Sequence, residues 1–331
     1  MIPTFVIGTI RSLNKETTIT QNNAVGYIQE LALEVSQESS RKMIIVGSEE
    51  QPLQAEQRYR VGQRVVLAKT NDSYAIVDTY RLPALAGLFI AFVFIVLLFT
   101  QKKGVSSLVS LAITITLLFS FTVPQILHGS NPLIISLITS LTISVVTVLL
   151  SHGYSATSRI IFFCMSTTLL FVSGLSFFVV KLAQLTGFGN EEVMYLQFSS
   201  TISLNLQGLL LGGIMLATLS VLDDSVVSQV SVVEELHHTN PTMSFRELYK
   251  RGMEVGKNHV STLVNTLVLA YAGSSLPLFL LFIQSTQPLW VVLNDQMIAE
   301  EIVRTLTGSI GLVLSIPLST YIAARFFAKH R

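Results

Sequence analysis

From Leu82 to its carboxyl end the chain alternates long apolar runs with short polar connections, and before Leu82 it does not. The first 80 residues instead carry short alternating stretches, YIQELALEVS, KMIIVG, QRVVLAKT and SYAIVDTY, whose period of two is that of half-buried strands. Gly26, Gly47, Gly62 and the NDS at 71–73 supply turns, and YRVGQRVVLA suits a turn entering a strand. Residues 1–80 are therefore expected to form a small all-β domain, a barrel of about five strands of the OB or SH3-like kind.

Seven later runs are long enough to cross a hydrocarbon core as helices, which takes roughly 20 residues each. They are 82–100, 105–123, 133–150, 159–181, 203–222, 259–284 and 301–324. The fold class that follows is mainly α, a polytopic membrane bundle over 81–331 behind the β domain, with a helical hairpin at 223–258. With seven spans, Lys102, Lys103, Arg159, Arg246, Lys250, Arg251, Lys257, Arg325, Lys329 and Arg331 fall on one side, which the preference of short basic loops makes cytoplasmic. Glu191, Glu192, Asp295, Glu300 and Glu301 mark the other side, so the β domain is expected outside and the carboxyl terminus inside. No signal peptide or leading span precedes MIPTFVIGTI, so either the first span translocates the amino-terminal tail or the chain continues upstream. An even number of spans would place the basic loops outside.

Composition narrows the class. Of 331 residues half are hydrophobic and only 12% are charged, where a soluble chain carries about 25%. A net charge of +1 gives no basic surface for nucleic acid. Cys164 is the single cysteine, which excludes an internal disulfide and a cysteine-cluster metal site. No cofactor-binding motif is present, and adjacent aspartates on one helix point about 100° apart, unlike two catalytic acids facing one water. No enzyme is expected.

Candidate chemistry concentrates in 222–277. From Leu222 to His238 a helical stripe of Val226, Val230 and Val233 opposes Asp224, Ser228, Ser231, Glu235 and His238, which predicts a helix lying on the cytoplasmic membrane surface. Asn240 and Pro241 end it, and Ser244 with Glu247 predicts the cap of a second helix starting at Phe245. His152, Asp223, Asp224 and His259 stand at span ends and, with Gln229 and Asn265, are the candidates for a polar route or ion site. A metal site shared by Asp223, Asp224 and His259 is a weak signal, since no compact ligand spacing is present. Gly273, Ser274 and Pro277 predict a helix break, the candidate gate, although Gly and Pro are also ordinary packing devices in membrane helices. Arg304, one turn from Glu300 and Glu301, predicts a local ion pair, Glu300 with Arg304. Asn205 and Gln207, followed by Gly208, Gly212 and Gly213, predict close helix packing with amide cross-bonds.

These motifs, LDDSVVSQ with the EL and NP that follow, GKNH, NTLVLAYAG with its LP, and RTLTGSIGL with IPLST, resemble the YibE/F family of multi-spanning bacterial membrane proteins. LHGSNP and SHGYSATS match more loosely. Between Gly256 and His259 the family more often has an Arg and an acid, where this chain has Lys257 and Asn258. The resemblance implies a bacterial plasma-membrane location and a helix bundle, often with an external amino-terminal domain preceded by one more span. It supplies neither substrate nor site residues.

The functional expectation is a permease-like protein passing an ion or small solute along a polar route between spans five and six. The competing expectation is a scaffold or sensor whose external β domain binds an envelope component. The expected partners are the lipid bilayer and, in an oligomer, a second copy or another family member.

Overall fold

The computed structural model describes residues 4–21, 24–35, 41–48, 50–70, 73–189, 191–199 and 204–329. The chain forms two compact units, Met1–Leu98 and Phe99–Arg331. The turn expected at Asn71 and Asp72, and the terminal Arg331, lie outside the described residues.

In the first unit the alternating runs are strands of one antiparallel sheet: β1 (Thr4–Gln21), β2 (Ala24–Val35), β3 (Arg41–Val46), β4 (Arg64–Thr70) and β5 (Ser73–Thr79), in the order β3-β2-β1-β4-β5. The long β1 pairs β4 through Thr4–Thr9 and β2 from Gly8 onward, and its register against β2 shifts near Ile10 and Leu13, where bulges let a long strand bend. The sheet curls until its edges approach, with the Lys42 ammonium of β3 5.7 Å from the Tyr74 ring of β5. Alternation puts Val6, Ile10, Leu31, Leu33, Val35, Ile44, Val65 and Leu67 into the enclosed core. One buried amide pins the loop before β4: Gln29 Nε2 donates to Glu16 Oε2 (2.7 Å) and the Tyr59 carbonyl (3.2 Å), and its Oε1 accepts from the Tyr59 N–H (2.8 Å).

The remainder is helical: α1 (Leu82–Leu117), a π-helical segment Leu118–Thr122, α2 (Val123–Leu127), α3 (Pro132–His152), α4 (Ala156–Leu182), α5 (Glu191–Ser199), α6 (Leu206–Thr239), α7 (Phe245–Ser274), α8 (Leu276–Ile283), α9 (Leu289–Asn294) and α10 (Gln296–Lys329). Five helical stretches are long and apolar enough to cross a membrane: Leu82–Leu127, Pro132–His152, Ala156–Leu182, Leu206–Thr239 and Gln296–Lys329. Helices α7 and α8, bent by 66° at their junction, meet the same test only together, for a total of up to six. The sequence runs number seven, and the difference lies in 82–127. That stretch of 46 residues is about 69 Å long if fully helical, twice a hydrocarbon core. Gln101 (φ 50°, ψ −124°) is not helical, so 82–100 and 102–117 are two helices meeting between the two predicted runs.

In the second unit α10 packs on α4, α6 and α7, while α6 also packs on α3, α4 and α7. The separate surface helix expected from Leu222 to His238 is corrected: α6 runs unbroken through it, and Val226, Val230 and Val233 are fully buried. Their stripe faces protein, joining Leu222, Met165, Leu248 and Ala324 in one core. The caps follow the sequence, with Asn205 accepting from the Gly208 N–H (2.8 Å) and Ser244 from the Glu247 N–H (3.3 Å). Helix α7 ends at Ser274 and α8 begins at Leu276 with Pro277 in its first turn, while α10 continues through Pro317.

Removing the Gln29 amide by Gln29→Ala takes this partner from the Tyr59 N–H and carbonyl and leaves Glu16 with Arg58, a cost of about 1–3 kcal/mol. Hydrogen exchange of the full-length chain, read by mass spectrometry, is expected to quicken across 55–63 with the helices unchanged; unaltered exchange there would show that the loop is held by something else.

Candidate functional site

Asp223 sits in the middle of α6, and its Oδ1 is buried with no hydrogen-bond partner among the described residues. An unpaired buried carboxylate oxygen is costly, the more so in a membrane helix. The half-buried side chain lines a cleft of about 320 Å³ between α3, α6 and the helix from 102 onward. Every other polar residue on its wall is a hydroxyl: Ser107, Ser110, Thr114, Ser144, Thr147, Ser151 and Ser220. Leu111, Leu118, Ile143, Leu216 and Leu219 complete it, so Asp223 supplies its one ionisable group among the described residues.

The cleft exists because two helices meet through hydroxyls rather than large apolar side chains. Ser106 donates to the Leu150 carbonyl, Ser110 and Thr147 share a hydrogen bond of 3.1 Å, and further along Thr122 and Thr139 share one of 2.7 Å. This antiparallel ladder joins 102–122 to α3, and small side chains along it leave space where leucines would fill it. Ser144 bonds the Met165 sulfur (3.3 Å), tying the same wall to α4.

The other candidates are dispersed. Asp224, one residue round α6 from Asp223, is exposed, as are His152 at the end of α3 and Asn265 on α7. His259 is half-buried with its Nε2 unpartnered among the described residues, yet does not line the Asp223 cleft. Among the described residues no three His, Cys, Asp or Glu side chains gather as metal ligands, so the shared site considered for Asp223, Asp224 and His259 is not formed.

Gln229, another route candidate, lies beyond the fifth run, where α6 packs closely on the start of α7 and on α10. Gln229 is buried and donates from Nε2 to the Gly252 carbonyl (2.9 Å) and Thr320 Oγ1 (2.7 Å). A Cβ at Gly256 would lie 2.5 Å from Ile316 Cγ2 and 2.8 Å from Gln229 Oε1, so glycine alone lets α7 approach this closely. Gln229 lies about 120° round α6 from Asp223, which puts the amide in the α7–α10 seam and the acid against α3.

At the α7–α8 bend, Tyr271, Phe279, Glu301 and Thr305 line a separate cavity of about 230 Å³, while Gly273 and Ser274 are exposed. The ion pair is Arg304 with Glu301 (2.6 Å), not with Glu300. Glu300 is buried on the other side of α10, accepting from the Gly187 N–H (3.0 Å) and Gln296 Nε2 (2.8 Å). Gly187 has φ +88°, and a side chain there would strike the Leu206 backbone, so this loop closes on Glu300 only through glycine. Gln207 supports it by donating to the Leu185 carbonyl (2.7 Å).

In the first unit, Glu16, Gln29, Arg58, Tyr59, Arg60 and Gln63 line a cleft of about 660 Å³. Arg58 pairs with Glu16 and lies 4.4 Å over the Tyr27 ring, and burial raises the Tyr59 hydroxyl above its ordinary pKa.

The hydroxyl wall was the part missed in the sequence, although the signal was there: Ser136, Ser140, Ser144, Thr147 and Ser151 recur at helical spacing, as do Ser107, Ser110 and Thr114.

The family described as YibE/F-like protein matches residues 88–329. No curated protein and no solved structure matches the chain.

Gly256→Val is expected to weaken the bundle by about 1–3 kcal/mol through overpacking against Ile316 and Gln229. Gly213→Ala, where an added Cβ meets nothing within 4 Å, is expected to be neutral. Thermal unfolding in detergent compares them, and equal melting of both variants would contradict the close α6–α7–α10 seam.

Proposed function

Since the chain belongs to the YibE/F-like protein family, we propose that it transports an ion or small solute across the bacterial plasma membrane, with Asp223 as the charge-binding group. The observation that carries this reading is the Asp223 carboxylate, unpaired at Oδ1 inside a hydroxyl-lined cleft of a membrane bundle. A carboxylate oxygen buried without a partner is less favourable than one that gains a proton or a cation, so the site's charge state responds to what enters the cleft. The reading is of a carrier, not an enzyme.

The packing supports a division of labour. Helices α4, α6, α7 and α10 share buried contacts and form the fixed part. Helix 102–122 meets α3 through hydroxyl pairs, and such bonds in membranes average about 0.6 kcal/mol each. It is the element able to shift against α3 and change access to Asp223. Counting the helices on either side of Gln101 separately, and the bent pair α7–α8 as one, gives seven passes. Arg159, Arg246, Lys250, Arg251, Lys257, Arg325 and Lys329 then mark the cytoplasmic end and leave the β unit outside. Contacts among sequence neighbours of Arg159 and of Arg325 and Lys329 support this: Thr157 Oγ1 donates to Glu234 (2.5 Å) near one end of α6, where the His237 and Phe327 rings stack at 5.9 Å.

A sensor reading has one observation in its favour, the charged cleft of the β unit lined by Glu16, Arg58 and Arg60. Flux decides between them. In proteoliposomes screened over common ions and small solutes, Asp223→Asn is expected to reduce flux by about 10²-fold or more, as for loss of a charge stabilisation of roughly 3 kcal/mol. Asp224→Asn and Asn265→Ala, both at exposed positions, are expected to leave most of it. Unchanged flux in Asp223→Asn would remove the acid from the mechanism, and no flux in the unaltered chain would favour the sensor.

A further inference from the structure

The geometry points to a small monovalent metal cation, of the sodium type, as the species held beside Asp223, with the Ser110 and Thr147 hydroxyls among its ligands; this rests on the transport reading above and specifies what its acid binds. Three observations lead to it.

First, the cleft wall holds one carboxylate and otherwise neutral oxygen. One negative charge balances one monovalent cation. A divalent ion of the calcium type takes six to eight oxygens, commonly from several carboxylates or carbonyls, and magnesium binds through carboxylates, water and phosphate. Hydroxyl and carboxylate oxygens are hard donors, and the wall offers no thiolate or imidazole for a softer metal.

Second, two hydroxyls on this wall are not spent on backbone. Thr142 spends its proton on the Ile138 carbonyl, Thr168 on Cys164, Thr218 on Ile214 and, on the wall itself, Ser220 on Ala217. Ser110 and Thr147 instead bond to each other across two helices. A shared hydrogen bond uses one proton and one lone pair of the pair, leaving oxygen lone pairs directed to neither backbone. A site for a proton alone requires the carboxylate and gains little from such a wall, whereas a bare cation needs neutral oxygens to replace its water.

Third, Asp223 lines the cleft and its Oδ1 has no hydrogen-bond partner among the described residues, so no protein donor at that oxygen competes with a cation for the carboxylate's charge. The cleft, about 320 Å³, has room for a cation still carrying water on the side the protein leaves open. The two hydroxyls belong to different helices, 102–122 and α3, so a cation between them and α6 ties the loosely joined helix to the fixed part. Binding and helix position are then coupled.

The test uses the full chain purified in detergent, with radiolabelled sodium binding read by scintillation proximity in choline buffer and flux measured in parallel. Saturable sodium binding is expected, displaced by lithium, abolished in Asp223→Asn and weakened about tenfold in Ser110→Ala or Thr147→Val, the loss of one ligand at roughly 1.4 kcal/mol. Thr147→Ser, which keeps the hydroxyl, is expected to restore binding and shows that a loss in Thr147→Val is not misfolding. Flux that persists without sodium and follows the proton gradient, with no sodium binding, overturns the metal cation while leaving the carrier reading standing. Sodium binding that survives Asp223→Asn also overturns the inference. Absence of flux under every gradient removes the transport reading itself.

Discussion

The close approach of α6 and α10 is the contact on which the helical unit depends. In a membrane, burying leucine against leucine gains little over burying it in lipid, so association relies on backbones coming near enough for dispersion and for hydroxyls to reach partners. Gly308 and Gly311 of α10 face Thr218 of α6, Gly311 also meets Val172 of α4, and Ser225 lies 3.3 Å from Ser315. Along the same seam Gln229 reaches Thr320. Side chains of this size draw three helices together, and the remaining elements take their positions from that core.

The site follows from the same economy of size, applied more loosely. Against α10, small residues are matched by methyl groups that fill the space, as Ile316 does beside Gly256. Against 102–122, the small residues of α3 face other small residues, so the helices touch at hydroxyl pairs and leave a cleft between them. A closely packed seam thus lies on the face of α6 that carries Gln229, and an open cleft on the face that carries Asp223.

Much of this arrangement was legible in the sequence, and the parts that were not share a physical cause. Period two identified the strands, Ser244 and Asn205 announced helix starts, and Pro277 stood where α7 gives way to α8. Hydropathy cannot say whether an apolar stripe faces lipid or protein, and for that reason Val226, Val230 and Val233 read as a membrane-surface helix when they are core. Rotation about a helix axis is equally hidden: Glu300 and Glu301 are neighbours in sequence, but one is buried under the Gly187 loop and the other holds Arg304. The serine and threonine stripes of α3 and 107–114 were visible as a pattern, but a hydroxyl is also an ordinary helix-packing residue, and its meaning depends on what stands opposite.

One feature of α7 bears on how the chain is assembled. Taken alone α7 does not qualify as a span, and its Gly252 and Gly256 fit against Thr320 and Ile316 of α10. Helix α10 is synthesised after α7, so the two walls of this seat arrive at different times: Val233 and Gln229 of α6, against Gly252 and Gly256, precede α7, and Thr320 and Ile316 follow it. A chain that has reached α7 therefore holds one wall of its seat and still lacks the other.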